Sequence, residues 1–356
     1  MRYPDRLPAG GTIGFVAPSF GCATEPYISA FKNALKKFEA DGYQTKLGPN
    51  CYASDGIGIS STPENCGIEL TEGYCDSESD AIISCGGGEL MCEILDFVDF
   101  DRISQARPKW YMGYSDNTNF TFTLTTMCDV ASIYGPCASS FGAEPRHRAI
   151  SDAFSVMTND SDHIQIQGYD KWELESIKDE ENPLVGYNLT EDAKPLRFMP
   201  DGNPMILGSD ACMTDRLVMD GRLIGGCLDC LVNLCGTKYD QVREFNKKYA
   251  AEGTIWFLEA CDLNPMSIRR AMWELEHAGW FEGVSGFLIG RSRLYGEELM
   301  GLDNYKAYYD IISHYKVPVL MDIDLGHLPP AVPLVTGSVA HIESEGNGWN
   351  VEMNFK

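Results

Sequence analysis

The sequence predicts an α/β protein with two domains, and three observations lead to this fold class. Short apolar runs, such as residues 12–17 and 81–84, alternate with amphipathic stretches in the first half of the chain. Alternation of this kind is typical of parallel strands joined by crossover helices. A similar pattern resumes after a polar middle segment and ends in a predicted hairpin. The length of 356 residues is sufficient for two hydrophobic cores.

Residues 1–143 predict an N-terminal domain with a mostly parallel sheet and crossover helices. Buried strands are expected at residues 12–17, 81–84 and 109–112, and helices at residues 27–40, at residues 89–97 and from about residue 117. The first helix has apolar side chains at helical spacing, and Gly42 ends it. The triplet Gly86–Gly88 separates the second strand from the second helix.

Residues 144–204 predict a linker or a lid. Charged residues are dense between residues 170 and 181, proline and glycine recur, and the apolar periodicity is poor. Long segments without clear elements are usually lids, linkers or binding loops. A solvated connector without a binding role is an equally good interpretation.

Residues 205–356 predict a C-terminal α/β domain that ends in antiparallel strands. Strands are expected at residues 222–226, 254–258, 286–289 and 317–321, with helices at about 240–251 and from residue 265. Asn264 before Pro265 has the pattern of an N-cap followed by proline in the first turn. Residues 337–343 and 349–355 around Gly346, Asn347 and Gly348 predict a hairpin.

The composition excludes several classes of function. A formal charge of −24 argues against nucleic acid as a partner, because phosphate binding needs a basic surface. No window approaches the roughly 18 apolar residues of a membrane helix. The N-terminus has no continuous apolar segment of the signal-peptide type, so we expect a cytoplasmic protein.

Thirteen cysteines are scattered along the chain, which favours reduced thiols over a disulfide framework. Cys227, Cys230 and Cys235 form a cluster that would suit zinc or an iron–sulfur centre. A structural zinc site usually needs a second cysteine pair, and the sequence has none of the CxxC type. Because the cluster lies in an apolar run, we expect buried core thiols, with no metal and no cofactor.

A candidate nucleophile, Ser115, lies where a predicted strand ends and a helix begins. In the sequence Gly-Tyr-Ser-Asp-Asn at residues 113–117, a tight turn would expose the serine hydroxyl above the sheet. The backbone N–H of Asp116 would then point to where an oxyanion forms. The match to G-x-S-x-G is incomplete, since Asn117 replaces the second glycine. A serine that only caps the helix is the alternative.

The glycine triplet strengthens the catalytic interpretation. Its N–H groups would approach a ligand without side-chain obstruction. The lysine of a phosphate-binding P-loop is missing, and G-x-G-x-x-G fails at Met91. An oxyanion-hole N–H near Gly87 fits better, because it would complement that of Asp116.

Among six histidines, His327 is the candidate base because it follows a strand end in a rigid loop, where sites of α/β proteins gather. A loop histidine with a structural role is the alternative. Glu259 ends a buried apolar strand, and a carboxylate there needs a partner. Pairing with an imidazole N–H would satisfy it and fix the histidine tautomer. Asp262 is the competing acid.

Residues 113–116, 257–259 and 326–327 together resemble the LD-carboxypeptidase family of serine peptidases. This family includes the muramoyl-tetrapeptide carboxypeptidases and the microcin C self-immunity carboxypeptidases. The similarity extends from residues 14–19 to residues 335–337. It implies Ser115 as nucleophile, His327 as general base, Glu259 as its partner, an oxyanion hole from Gly87 and Asp116, and a homodimer. The implied substrate is a small peptide or a peptidyl conjugate.

The chain departs from the murein-recycling members near Gly88, which together with Trp172 is a candidate substrate-binding residue. Those members usually carry Arg-Gly-Gly-Tyr-Gly where this chain has Cys-Gly-Gly-Gly-Glu at residues 85–89. Trp172 in the polar middle segment resembles the tryptophan loop of the self-immunity branch, in which an aromatic ring stacks on the nucleotide part of an aminoacyl adenylate. An alternative substrate is therefore a peptidyl nucleotide. A tryptophan that only anchors the loop, and a non-catalytic protein that binds a small ligand, are the other hypotheses.

Overall fold

The computed structural model describes residues 1–205 and 213–355, so Cys212 lies outside the described residues. The chain divides into two compact units. The first unit comprises Met1–Asp162, Glu173–Asn188 and Val332–Gly337, and the second comprises His163–Trp172, Leu189–Ala331 and Ser338–Lys356. Both units are of the α/β type. No described helix has the length and apolar character needed to cross a lipid bilayer.

Strands and helices alternate along the first 158 residues. The elements are β1 (Thr12–Val16), α1 (Tyr27–Ala40), β2 (Gln44–Leu47), α2 (Pro63–Cys75), β3 (Ala81–Ser84), α3 (Phe100–Gln105), β4 (Trp110–Gly113), α4 (Thr118–Cys128), β5 (Ser132–Tyr134) and α5 (Arg148–Thr158). Short 3₁₀ helices span Met91–Phe97, Ser115–Asn117 and Ala138–Gly142.

The remaining elements follow in chain order. They are β6 (His163–Gln167), β7 (Lys171–Trp172), β8 (Glu191–Asp192), β9 (Leu196–Phe198), β10 (Arg216–Cys227), α6 (Leu228–Leu234), α7 (Val242–Lys248), β11 (Thr254–Glu259), α8 (Pro265–His277), β12 (Val284–Gly290), β13 (Glu298–Leu299), β14 (Leu302–Asp303), α9 (Asn304–Ile312), β15 (Val319–Ile323), β16 (Leu334–Thr336), β17 (Val339–Glu345) and β18 (Gly348–Asn354). A 3₁₀ helix spans Ser313–Tyr315.

The first unit contains a six-stranded sheet in the order β16-β5-β4-β3-β1-β2. All its neighbouring pairs are parallel except β16 with β5. Every residue of β3 and β4 is buried, as expected of parallel strands with both faces covered. The aromatic rings of Phe120 and Tyr111 pack edge to face, with centroids 4.7 Å apart, in the core beneath α4.

The second unit contains an eight-stranded mixed sheet in the order β6-β18-β17-β10-β11-β12-β15-β9. Strands β10, β11, β12 and β15 are parallel, and the flanking pairs are antiparallel. Strand β11 is buried along its whole length, whereas buried positions alternate along β17 and β18. The terminal hairpin therefore has one face on the core and one polar face, as its sequence predicts.

The polar middle segment, residues 144–204, contains more regular structure than the sequence suggests. Helix α5 lies within it, β6 and β9 form the two edges of the eight-stranded sheet, and its residues are shared between the two units. Strand β6 alternates isoleucine with polar residues but buries only Ile166 fully, so its apolar signal is short and is easily missed beside the charged residues that follow. The predicted helix at residues 89–97 is also wrong in type, since Met91–Phe97 forms a 3₁₀ helix.

Asn264 caps helix α8 as predicted, because its side-chain oxygen accepts a hydrogen bond from the Ser267 N–H at 3.0 Å. Asn264→Ala should lower the free energy of unfolding of the second unit by about 1 kcal/mol. Urea unfolding followed by tryptophan fluorescence measures this, since Trp256 and Trp280 stack in that unit with centroids 5.6 Å apart. Asn264→Ser keeps a capping oxygen and should lose much less. Equal losses for both variants would show that the cap is not the cause.

Candidate active site

Ser115 lies on a sharp turn between β4 and α4. Its φ of 63° is in the left-handed region, which non-glycine residues rarely adopt. A strained strand-to-helix turn is the backbone that exposes a nucleophilic serine in α/β-hydrolases. The Ser115 N–H donates to the Tyr134 hydroxyl at 3.2 Å, which holds the turn. Gly113 permits it, because a Cβ there would lie 2.6 Å from Cγ of Asn117.

The glycine triplet brings backbone, without side chains, next to Ser115. A Cβ at Gly87 would lie 3.3 Å from Cβ and 3.4 Å from Oγ of Ser115. The Gly86 carbonyl accepts hydrogen bonds from Asn117 Nδ2 (2.9 Å) and Ser84 Oγ (3.0 Å). Since C=O and N–H of a trans peptide point in opposite directions, the Gly87 N–H is turned away from these donors.

Only glycine fits at residue 88, the last residue of the triplet. Its φ is 150°, and a Cβ there would lie 2.0 Å from the Ser19 hydroxyl oxygen. The N–H of Phe20 donates to the Gly87 carbonyl at 2.7 Å. The segment around Ser19 and Phe20 therefore fixes the loop from one side, and only glycine fits.

The Asp116 side chain ties three segments of the first unit together. It is buried and accepts hydrogen bonds from the Met91 N–H and Asn119 Nδ2, both at 2.9 Å, and from the Ser19 hydroxyl. Burial raises the pKa of the Asp116 carboxyl despite these hydrogen bonds. The carboxylate therefore stabilises the structure around the turn. The backbone N–H of Asp116 lies in the first turn after Ser115, and N–H groups in a first turn point towards the start of the helix.

Glu259 and His327 are in direct contact within the second unit. Nδ1 of the imidazole lies 2.8 Å from Oε2 of the carboxylate. Glu259 ends β11 and is fully buried, and His327 follows β15 with 12% of its side chain exposed. Because Nδ1 faces the carboxylate, Nε2 is the nitrogen on the opposite side of the ring. The competing acid, Asp262, is largely exposed and pairs with Arg293 at 3.3 Å.

Two neighbours fix the geometry of this pair. Gly326 has a φ of 99°, and a Cβ there would lie 2.7 Å from Oε2 of Glu259, so the carboxylate packs directly on this glycine. The Asp229 carboxylate accepts hydrogen bonds from the backbone N–H groups of Cys261 (3.0 Å) and Asp262 (2.9 Å). These two bonds fix the conformation of the turn after Glu259. Asp229 was not predicted. An acid inside the apolar run of α6 is the signal that could have identified it.

The pKa of His327 is raised by its partners. Burial lowers the pKa, but the Glu259 charge and hydrogen bonding with Cys261 and Glu259 outweigh burial and raise it to about 10. The thiol of Cys261 is therefore a second neighbour of the imidazole, which the sequence did not indicate. A raised pKa means that the imidazole stays protonated to higher pH and that the neutral form predominates only above this pKa.

In the cysteine cluster near this pair, two of the three thiols lie in the core as predicted, whereas Cys235 is only half-buried. Cys227 and Cys230 are buried, and hydrogen bonding with Cys230 together with burial raises the pKa of Cys227 well above its usual value. The Cys227 thiol contacts Asp229 Oδ2 at 3.4 Å. Across residues 1–205 and 213–355, no group of three or more His, Cys, Asp or Glu side chains is arranged to hold a metal ion.

Trp172 is packed against other residues of the second unit. It is 4% exposed and forms a small cluster with Ala193 and Leu328. Its ring centroid lies 5.0 Å from that of Tyr295, and the Arg291 guanidinium carbon lies 4.9 Å from the indole centroid. These contacts favour the interpretation of Trp172 as an anchor of its segment.

The geometry predicts that the pKa of His327 exceeds 6.5 and falls in Glu259→Gln, because the charge that stabilises the imidazolium is then removed. An NMR titration of the imidazole resonances measures both values. Glu276→Gln is the matched control, since this glutamate lies 3.2 Å from His314 and should not affect His327. An unchanged pKa of His327 in Glu259→Gln would contradict the assignment of the shift to this carboxylate.

Comparisons with known proteins agree with this arrangement of elements. The sequence models of the LD-carboxypeptidase N-terminal and C-terminal domains match residues 13–135 and 220–342. The microcin C7 self-immunity protein of Escherichia coli is 25% identical over 353 residues, which cover 98% of this chain and 95% of that protein.

Two solved structures share the fold. An apo structure of the microcin C7 self-immunity protein has a TM-score of 0.80 at 23% identity, covering 99% of this chain and 98% of that one. A muramoyltetrapeptide carboxypeptidase from Oxalobacter formigenes has a TM-score of 0.68 at 18% identity, covering 96% and 98%. With both domain models matched in order, this chain belongs to the LD-carboxypeptidase family.

Proposed function

We propose that this protein is a serine peptidase that cleaves an amide bond of a small peptide or peptidyl conjugate, with Ser115, His327 and Glu259 acting as one triad. Membership of a serine peptidase family supports hydrolysis of this type. The observation that carries the proposal is the contact between Glu259 and Nδ1 of His327, at 2.8 Å. A buried carboxylate bound to this nitrogen fixes the tautomer that a general base needs.

In the proposed mechanism, Oγ of Ser115 attacks the carbonyl carbon of the substrate. Nε2 of His327 takes the hydroxyl proton, and the carbonyl oxygen becomes an oxyanion bound by the N–H groups of Gly87 and Asp116. The backbone at Gly87, bare of side chains beside Ser115, supports this role. Collapse of the intermediate breaks the C–N bond, and His327 returns its proton to the leaving amine.

Water then completes the reaction. His327 removes a proton from water, and the hydroxide attacks the acyl ester on Ser115. The ester C–O bond then breaks, His327 returns the proton to Oγ of Ser115, and the acid product leaves. Neither a metal nor a redox cofactor takes part in these steps. A cytoplasmic location and a homodimer remain predictions; light scattering of the purified protein would test the second.

Ser115→Ala, His327→Ala and Glu259→Ala should each lower kcat by about 10³- to 10⁶-fold, because the three residues act as a unit. Double variants should be at most a few-fold worse than the single ones. Initial rates on a peptide with a C-terminal D-amino acid measure this, together with circular dichroism as a check of folding. Multiplicative losses in the double variants would argue against a shared mechanism.

Labelling with a fluorophosphonate separates the enzyme from a non-catalytic binding protein of the same fold. The wild type should be labelled and Ser115→Ala should not. Ser104→Ala is the control, because this serine lies on helix α3 and its hydroxyl donates to the Asp101 carbonyl of that helix at 2.8 Å. Absence of labelling in the folded wild type would leave the binding-protein hypothesis in place.

A peptidyl nucleotide is the second candidate substrate. Structures of the microcin C7 self-immunity protein contain aspartyl sulfamoyl adenosine and glutamyl sulfamoyl guanosine, and this chain matches the first over 99% of its length. The departure of residues 85–89 from the murein-recycling pattern favours the same substrate class. Direct comparison of kcat/KM for a muramoyl tetrapeptide and an aspartyl adenylate decides between the two.

Trp172→Ala should lower kcat/KM for both substrate types by a similar factor, because the indole packs on Arg291 and Tyr295. Trp273→Ala is the control, since this tryptophan is 54% exposed on α8 and should change neither rate. A loss of roughly ten- to a hundredfold for the nucleotide substrate alone would show that the indole stacks on the base.

A further inference from the structure

A cavity of about 230 Å³ lies in the second unit, where strands β12 and β15 end. Helix α9 and the segment after β12 close its sides. Neither Glu259 nor His327 is among the described residues that line it. Its volume is many times the roughly 10–15 Å³ that one water needs and falls below the roughly 300 Å³ of the smallest drug-sized sites. It suits a ligand group of a few heavy atoms.

The charged side chains that line this cavity are all acidic among the described residues. Four carboxylates line it, those of Glu297, Glu298, Asp303 and Asp322, and no lysine, arginine or histidine is among its described lining residues. Two of them have partners: Asp303 caps α9 through the Lys306 N–H at 2.7 Å, and Asp322 accepts the Tyr305 hydroxyl at 2.5 Å. The cavity therefore favours a bound group that carries a positive charge.

Four lining residues have a buried polar atom without a hydrogen-bond partner in the described part of the chain. Ser292 is 5% exposed and Tyr308 is 2% exposed, and neither hydroxyl is paired. Oε2 of Glu297 and Oδ1 of Asn304 are likewise buried and have no hydrogen-bond partner among the described residues. Buried polar groups in proteins are nearly always hydrogen-bonded, so this concentration in one cavity points to a ligand that supplies the bonds.

The chemistry of these atoms defines the ligand. The glutamate and asparagine oxygens only accept hydrogen bonds, and both hydroxyls can do so. A primary ammonium is a pure donor with three N–H groups and a positive charge. The side chains of Ile289 and Met321 also line the cavity and suit methylene groups. A chelated metal ion fits less well, because the described acids do not converge as a metal site.

We propose that this cavity binds a primary alkylammonium group, such as the end of a lysine-type side chain or a small aliphatic amine. The inference goes beyond the proposed function and does not depend on it. Binding involves no covalent step. It uses Glu297 and Asp322 for charge and the oxygens of Ser292, Asn304 and Tyr308 for hydrogen bonds.

Titration with n-butylammonium, followed by ¹³C-methyl NMR of the methionines in the full chain, tests the proposal. The Met321 methyl resonance should shift and saturate, whereas that of Met353, in the terminal hairpin, should not. n-Butanol and butyrate, matched in length, should shift Met321 at least tenfold less at equal concentration. All titrations are run at 0.15 M salt so that the acidic exterior is screened.

Two variants and a matched control complete the test. Glu297→Gln and Asp322→Asn keep size and shape, and asparagine tolerates the φ of 57° at residue 322. Each should raise the dissociation constant at least fivefold. Glu345→Gln, which removes an exposed carboxylate from the same unit, should change it less than twofold. Equal shifts with n-butanol, or unchanged affinity in both cavity variants, would overturn the proposal.

Discussion

The buried carboxylate of Glu259 is the constraint on which the candidate site of the second unit depends. It ends a fully buried strand, and a charge in that position is destabilising unless it is paired. Its pairing with His327 fixes the loop after β15, and its packing on Gly326 explains why glycine precedes the histidine. In the first unit, the buried carboxyl of Asp116 has a comparable role. It accepts hydrogen bonds from Met91 and Ser19, which lie on the two segments next to the glycine triplet, and so connects them to the turn of Ser115.

The fold was predictable where apolar periodicity is strong. Helix α1, strand β11 and the terminal hairpin occur close to their predicted positions. Buried strands and amphipathic helices have characteristic patterns of apolar residues, and these patterns can be recognised in the sequence. Strands β6 and β9 were not predictable in this way. They are short edge strands with few buried residues, and their place in the sheet depends on pairing with β18 and β15, which are distant in sequence.

The candidate site was predictable to the extent that its residues follow strand ends. Ser115, Glu259 and His327 all lie at or just after the carboxyl end of a strand, where α/β proteins gather their sites. The supporting contacts were not predictable, because they join residues far apart in sequence. Asp229 accepts hydrogen bonds from backbone N–H groups that lie 32 and 33 residues later in the chain. Cys261 and His327 are also distant in sequence and become neighbours only in the folded protein.

The raised pKa of His327 bears on both halves of the proposed reaction. A carboxylate that stabilises the imidazolium favours the state in which the histidine has taken the proton of Ser115, which is the state that must persist while the oxyanion exists. The same stabilisation reduces the neutral fraction from which the reaction starts, so the rate should rise with pH up to the pKa of the pair. Burial opposes this by disfavouring the charged imidazole. The balance between Glu259 and burial therefore sets how much neutral base exists at physiological pH.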